Sequence, residues 1–303
     1  MPVFKEIFPF AQTSCMDFLG NSSQIVSIKP TGSITGIRCH FALEAIIMPR
    51  SFGGHAPILT RTDSSFKSGW GLVGLEHPAF KGDVEEGPFI HFFFGNWSPS
   101  GGGQEVHTKI EYDQWIHVAG VYNGNELRIY VNGSFKDQLD YISSDEEMEG
   151  LQAKGDVAIG AILGKYAFDG YIDECRLWDV ERSEDQIKGA INKPIDNNTP
   201  GLLGQWTFNE GAGEVIVDSS GHRNHALFER YAGGVELRRV QSRRPWLQPD
   251  KSAREKMIDA NFLKLQKWRK AFESSSGRPA TKADIMLADP EIKNLALRMG
   301  ELF

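Results

Sequence analysis

The stretch "VIVDSSGHRNHALF" sets an aspartate, two serines, a glycine and two histidines into one short run between Asp218 and His225. Such residues could serve Ser/His/Asp hydrolysis or hold a metal. A triad, however, needs a nucleophile, a base and an orienting acid that the fold brings together beside an oxyanion hole. Neighbours in the chain do not converge in that way. His222 and His225 stand three positions apart with no third ligand in view, which is short of a zinc set. The same residues suit a turn between two strands. Asp218 can accept from backbone amides two residues on, Ser219 and Ser220 can do so more weakly, and Gly221 can take a positive φ. The expectation is a structural turn, and Asp218→Ala should cost stability.

Other reactive signatures are missing from the sequence. SPSGGGQ (98–104) lacks the Lys-Ser/Thr of a phosphate-binding loop and reads as a surface loop; H-E-x-x-H and G-x-S-x-G do not occur. The acidic run SSDEEMEG (143–150) reads as a solvated turn, with calcium the alternative. Cys15, Cys39 and Cys175 are odd in number, far apart and without a CxxC, so neither a zinc knuckle nor a disulfide framework is indicated.

The elements around these residues are β-rich. QIVSI, HFALEAIIM, GWGLVGL, FIHFFF, WIHVAGVY, LRIYV, VAIGAI, YIDECRLW and LLGQWTF recur between Gly, Asn, Asp and Pro punctuation. Many short strands with turn signals between them predict antiparallel sheets in a sandwich or barrel. In LRIYV, Leu127, Ile129 and Val131 should face one side, with Arg128 and Tyr130 on the other. Asn123-Gly124 predicts a two-residue hairpin turn with both central residues at positive φ. SEDQIKGAI predicts a helix capped by Ser183, with Gln186 completing the capping box.

After Tyr231 the pattern changes. A basic linker (236–250) precedes a tail (251–303) in which Ile258, Phe262, Leu265, Trp268 and Phe272 recur at helical spacing. Thr281 with Asp284 should cap a second helix, and Pro290 should open a third whose apolar stripe includes Ile292. Residues 236–303 carry 15 Lys+Arg against 9 Asp+Glu, although the 303-residue chain has a net charge of −7. Such a split predicts a basic appendage with an acidic partner. No apolar run approaches the roughly 20 residues of a membrane helix, and the start has no signal-peptide pattern. The sequence therefore reads as intracellular and cytoplasmic, with cytoskeletal or ciliary structures among the candidates.

Five motifs in order, "MDFLGNSSQIVSI", "FALEAIIMP", "YDQWIHVAGVYNGNELRIYVNG", "FDGYIDECRLWDVERSEDQI" and "GLLGQWTFNEGAGEVIVDSSGHRNHALF", resemble laminin-G-like, concanavalin A-like jelly-roll domains over about 16–228. The resemblance implies an all-β antiparallel sandwich (1–235) followed by a small α-helical appendage. It also implies that Trp115, Trp178 and Trp206 lie in or near the core. Glucanases of this shape carry E-x-D-x-x-E, and the nearest match, Glu111-Tyr-Asp113-Gln-Trp-Ile116, has isoleucine in place of the last glutamate. Glycosidase chemistry, which needs a carboxylate pair, is not expected. Calcium in this superfamily sits at the sandwich rim, and Asp173 is the candidate ligand here. Trp70 and Trp97, beside glycine-rich turns, are candidate sugar contacts.

The tail, "LKLQKWRKAFESSSGRPATKADIMLADPEIKNLALRMGEL", resembles a short helical segment at the start of the RecQ-type helicases of replication initiation. No motor motif accompanies it, so a docking role alone is implied, through Arg243, Arg244, Trp246, Lys267, Arg269 and Arg278. The mild positive balance argues against nucleic acid as the partner. Two functions compete: an interaction scaffold whose basic tail joins a multi-subunit protein assembly, with no cofactor required, and a glycan-binding lectin, with or without calcium.

Overall fold

A computed structural model describes residues 14–242, apart from 22–23, 38, 63–65, 67, 77–86, 96–103, 142–154, 163, 192, 194, 211 and 231–237, together with ten single positions between 268 and 292. Compact units divide between Leu247 and Gln248.

In chain order the first unit contains β1 (Ser14–Leu19), β2 (Gln24–Ile28), α1 (Gly32–Thr35), β3 (Phe41–Ser51), β4 (Ala56–Thr62), β5 (Gly69–Leu75), β6 (Phe89–Phe94) and β7 (Glu105–Lys109). There follow β8 (Ile116–Tyr122), β9 (Glu126–Val131), β10 (Ser134–Asp140), β11 (Val157–Ile159), β12 (Ala161–Ile162), β13 (Tyr166–Ala167) and β14 (Asp169–Trp178). The last are α2 (Glu184–Ala190), β15 (Leu202–Trp206), β16 (Val215–Ile216), β17 (Ala226–Arg230) and β18 (Arg239–Gln241). Two antiparallel sheets result. The first runs β10-β9-β8-β3-β14-β1-β18, with β15 also paired to β14; the second runs β16-β17-β2-β11-β4-β5-β6-β7. β12 and β13 form a separate hairpin. Among the described residues no helix is long and apolar enough to cross a membrane.

The sequence folds this way because alternation gives each strand one apolar face. Leu43, Ala45 and Ile47 of β3, Leu127 and Ile129 of β9, and Ile90, Phe92 and Phe94 of β6 all enter one core. The two sheets meet at Phe41, whose ring lies 6.1 Å from Trp70, 5.8 Å from Phe92 and 5.6 Å from Phe94. Gly120 of β8 faces this packing; a Cβ there would lie 2.3 Å from Phe92, so the close approach requires glycine.

Three local expectations meet the structure directly. Ser183 and Gln186 form the reciprocal capping box of α2. The Asn123-Gly124 hairpin, by contrast, is not a two-residue turn with paired positive φ. Gly124 alone takes one (φ +92), while the Asn123 carboxamide accepts from the amides of Asn125 and Glu126, both at 3.0 Å. This side-chain turn replaces the strained backbone one. Part of the expected basic linker is a strand: β18 pairs with β1, and Arg239 Nη1 donates to the Gly213 carbonyl at 2.6 Å.

The DSSG stretch is a turn held by its aspartate. Asp218, 5% exposed, accepts from the amides of Gln205 (2.9 Å), Ser220 (2.8 Å) and Asn224 (2.9 Å) and from the Ser220 hydroxyl (2.8 Å). The Asp218 amide donates to His225 Nδ1 at 3.1 Å, and Gly221 takes φ +85. Asp218, Ser219, Ser220 and His225 are thus engaged in closing the loop against β15, whereas His222 is exposed and contributes its backbone amide to Ser220 Oγ.

Candidate functional site

The outer face of the first sheet is fixed by the residues that point the other way. Met16 and Phe18 of β1, Ile47 of β3, Ile172 of β14 and Ile116 of β8 are in the core. Their neighbours Cys15, Asp17, Met48, Tyr171 and Trp115 therefore share the opposite face. Pairing sets them side by side: Met48 opposes Tyr171, Tyr171 opposes Asp17, and Cys15 opposes Val240.

Cys15, Met48, Trp115, Tyr171, Val240 and Gln241 line a cavity of about 310 Å³. Trp115 and Tyr171 are half-buried, their centroids 6.2 Å apart and their planes inclined by 38°. Arg50 stacks its guanidinium 4.8 Å above the Tyr171 ring. It pairs with Asp17 at 2.8 Å and Asp169 at 2.8 Å, and donates to the Phe18 carbonyl at 2.5 Å. Burial works to lower the Arg50 pKa, but the two carboxylates outweigh it and raise it, so the cation is fixed. Arg238, mostly exposed, reaches Asp17 at 3.5 Å. The wall therefore combines two tilted aromatics with Gln241, and a charge cluster balanced between two arginines and two aspartates adjoins it through the Arg50–Tyr171 stack.

Further along the same face, α2 covers a second polar cluster. Glu44 of β3 meets His117 Nε2 at 3.1 Å, Arg176 Nη1 at 3.1 Å and Arg182 Nε at 3.3 Å. Arg176 also holds Glu174 at 2.7 Å and donates to the Ala190 carbonyl at 3.3 Å. Burial alone would push the Glu44 carboxyl up; the His117 hydrogen bond and the arginine charges outweigh it and lower it from 4.5 to about 2. Arg182 stacks 4.0 Å over the buried Trp178. This cluster fastens α2 to the sheet and presents nothing to a ligand.

The residues singled out from sequence fall differently. Trp70 is 0% exposed and packs in the core, so it offers no sugar platform; the neighbouring Gly69 and Gly71, whose type suggests a turn, are strand residues of β5. Trp97 lies outside the described residues, as do the acidic run 143–150 and Arg243, Arg244, Trp246, Lys267 and Arg269. Trp178 and Trp206 are fully buried as expected, but Trp115 is half-buried and lines the cavity. Period-2 reading of Q-W-I-H-V could have found it, because Ile116 and Val118 inward require Trp115 outward.

Asp173, the candidate calcium ligand, sits at a β-bulge within β14 and is 2% exposed. Glu111 is exposed ahead of β8, Asp113 occupies a turn at φ +57, and Ile116 is buried, so these positions do not form a carboxylate pair along a strand. Cys15 and Cys175 are buried, Cys39 is exposed, and none of the three is in a disulfide.

The second unit is described at few positions. Trp268 and Phe272 are helical, with rings 5.5 Å apart. Arg278 grips Asp284 at 2.7 and 2.9 Å; the Thr281 amide donates to Asp284 at 2.8 Å, and the Asp284 amide donates to the Thr281 hydroxyl at 3.4 Å. This is the cap expected from the sequence. The other expected tail helices fall largely outside the described residues.

Comparison with known proteins bears on the first unit. A candidate carbohydrate-binding protein from Bacteroides ovatus superposes with a TM-score of 0.54 at 22% identity, over 77% of this chain and 62% of that one. This chain thus spans less than two thirds of that protein's length. A heptameric SAP-like pentraxin from Limulus polyphemus gives 0.43 at 15% identity, over 73% and 96% of the two chains. The CBM40 of a Ruminococcus gnavus sialidase, bound to α2,3-sialyllactose, gives 0.41 at 11% identity, over 57% of this chain and 95% of that one. No curated protein sequence matches. Residues 20–188, more than half of the chain, match the family described as the concanavalin A-like lectin/glucanases superfamily, in agreement with the two antiparallel sheets. The chain belongs to that superfamily.

Proposed function

We propose that this protein is a non-catalytic glycan-binding module whose ligand enters the cavity between Trp115, Tyr171 and Gln241. One observation carries the reading: two half-buried aromatics and Gln241 converge on a cavity of about 310 Å³ on the outer face of the first sheet. Aromatic faces receive the C–H face of a sugar ring, while an amide and charged groups at the edge orient its hydroxyls. Ligand pockets span about 300–1,000 Å³, so the size favours a terminal sugar unit over a long chain. The Arg50, Arg238, Asp17 and Asp169 charges offset one another, which favours a neutral sugar. The fold shared with the Bacteroides ovatus protein points in the same direction.

A glycan array followed by calorimetry tests the reading. Binding should appear in the wild type and fall at least about tenfold in Trp115→Ala, the equivalent of about 1.4 kcal/mol. Silence of the folded wild type across the array rejects it. A chelator arm addresses calcium at Asp173; binding that survives chelation takes calcium out of the account.

The second reading is an intracellular scaffold whose tail docks into a protein assembly, in the manner implied by the helicase-like segment. The Arg278–Asp284–Thr281 cap favours it, since that is the helix start the pattern requires. Deletion of 248–303 should abolish co-purification of partner proteins if the tail is the anchor; unchanged association sinks it.

A further inference from the structure

A second constellation lies on the other sheet, on the outer face of its β6–β7 edge. His91 of β6 opposes His107 of β7, and Glu105 opposes Phe93 one step along. Ile90, Phe92 and Val106 point into the core, so His91, Glu105 and His107 stand together on the outer face. His91 Nδ1 is 3.1 Å from Glu105 Oε2, and the two imidazoles stack with centroids 5.2 Å apart. One donor atom from each of the three residues lies within 4.8 Å of the others.

We infer that His91, Glu105 and His107 form a binding site for a divalent transition-metal ion, zinc by the chemistry of its donors. Two imidazoles and one carboxylate are borderline donors that suit zinc and not calcium, which takes six or more oxygens. Zinc holds nitrogen and oxygen ligands at about 2.0–2.2 Å, which sets tetrahedral ligand atoms ~3.3 Å apart. The three donors need to close by about 1.5 Å or less to reach this, within the reach of side-chain rotation on a fixed backbone.

The setting favours such a site. His91 is 0% and Glu105 5% exposed, with Phe93 and Val73 as buried neighbours, whereas His107 is half-buried and gives access. A buried carboxylate must be paired, and an imidazole or a cation can do so. Three protein ligands leave one position for water or a ligand atom. Because β7 is the edge strand of its sheet, the ion would also clamp that edge to β6. The site is independent of the glycan cavity, which lies on the first sheet.

The experiment uses the full chain freed of metal. Zinc titration should show one equivalent bound with a rise in Tm, and X-ray absorption at the zinc edge should show two imidazoles and light-atom oxygen without sulfur. His107→Ala and Glu105→Gln should each weaken binding at least about tenfold, as ligand loss exceeds the 10–100-fold effect of supporting residues. Cys39→Ser with His40→Ala controls for the exposed thiol–imidazole pair at 3.2 Å and should leave affinity unchanged. No zinc equivalent on the folded wild type, or a zinc spectrum with sulfur, overturns the inference. Unchanged affinity in folded His107→Ala overturns it as well, leaving His91–Glu105 a hydrogen-bonded pair. The wild-type spectrum decides the matter even if a variant fails to fold.

Discussion

The outer face of the first sheet carries two constellations built from the same ingredients. Toward the start of β3, Glu44 binds Arg176 and Arg182 beneath α2, and Arg182 stacks over the buried Trp178. Toward its end, Arg50 pairs with Asp17 and Asp169 and stacks over Tyr171 beside Trp115, where a cavity opens. The first is covered by a helix whose carbonyls accept from Arg176 and Arg182, so every charge is used internally. The second has its aromatic rings half-exposed. Arginine, carboxylate and aromatic residues therefore do not mark a site by type; what lies over them decides whether they hold the fold or meet a ligand.

The comparison is most severely tested by breaking the covered cluster. Glu44→Ala leaves three nitrogen-bearing partners around a vacancy, and loss of one member of a buried ionic group costs about 3–5 kcal/mol. Urea unfolding should register this as a lower midpoint with little change in slope. Acid acts on the same group. Because the folded Glu44 pKa is depressed, its contribution is full above the unfolded value and is lost as pH falls from 4.5 to about 2. Linkage puts this at roughly 3 kcal/mol, and Glu44→Gln should flatten that part of a stability–pH profile. A profile that keeps its acid limb in the variant contradicts the role given to Glu44.

Asp218→Ala should cost about 2–3 kcal/mol by stranding the donors of the β15 turn, with ligand binding lost only as the protein unfolds. Ser183→Ala, which removes the α2 cap that helps seat the cover, should cost ~1 kcal/mol. Thermal melts rank the two. Specific loss of binding in folded Asp218→Ala would return that turn to the list of sites.

These contrasts mark what the sequence makes legible. Local chemistry is readable: Ser183 and Gln186 announce their capping box, Asp218 and Gly221 their turn, and LRIYV its two faces. These depend on residues a few positions apart. The order β10-β9-β8-β3-β14-β1-β18 is not readable, because partner choice depends on residues far apart in the chain. β18 escaped for that reason, since a short basic segment becomes a strand only by pairing with β1. The bulge at Ile172–Glu174 shifts which side chains share a face, which hid the position of Asp173. For the site, nearby glycines suggested exposure for Trp70, while family resemblance suggested burial for Trp115; alternation with Ile116 and Val118 is the stronger signal for the latter. His91 and His107 lie 16 positions apart and meet only through the β6–β7 register.

The smallest change in stability should accompany the change that matters most for function. Trp115→Ala removes a half-exposed ring and should leave stability within about 1 kcal/mol of the wild type, as expected away from the core. Calorimetric titration of wild-type and Trp115→Ala proteins with the strongest array ligand is the most direct measurement. Binding is expected in the wild type, with at least a tenfold loss in a variant that melts normally. Equal affinity in the two proteins would contradict this and remove the Trp115–Tyr171 cavity as the site.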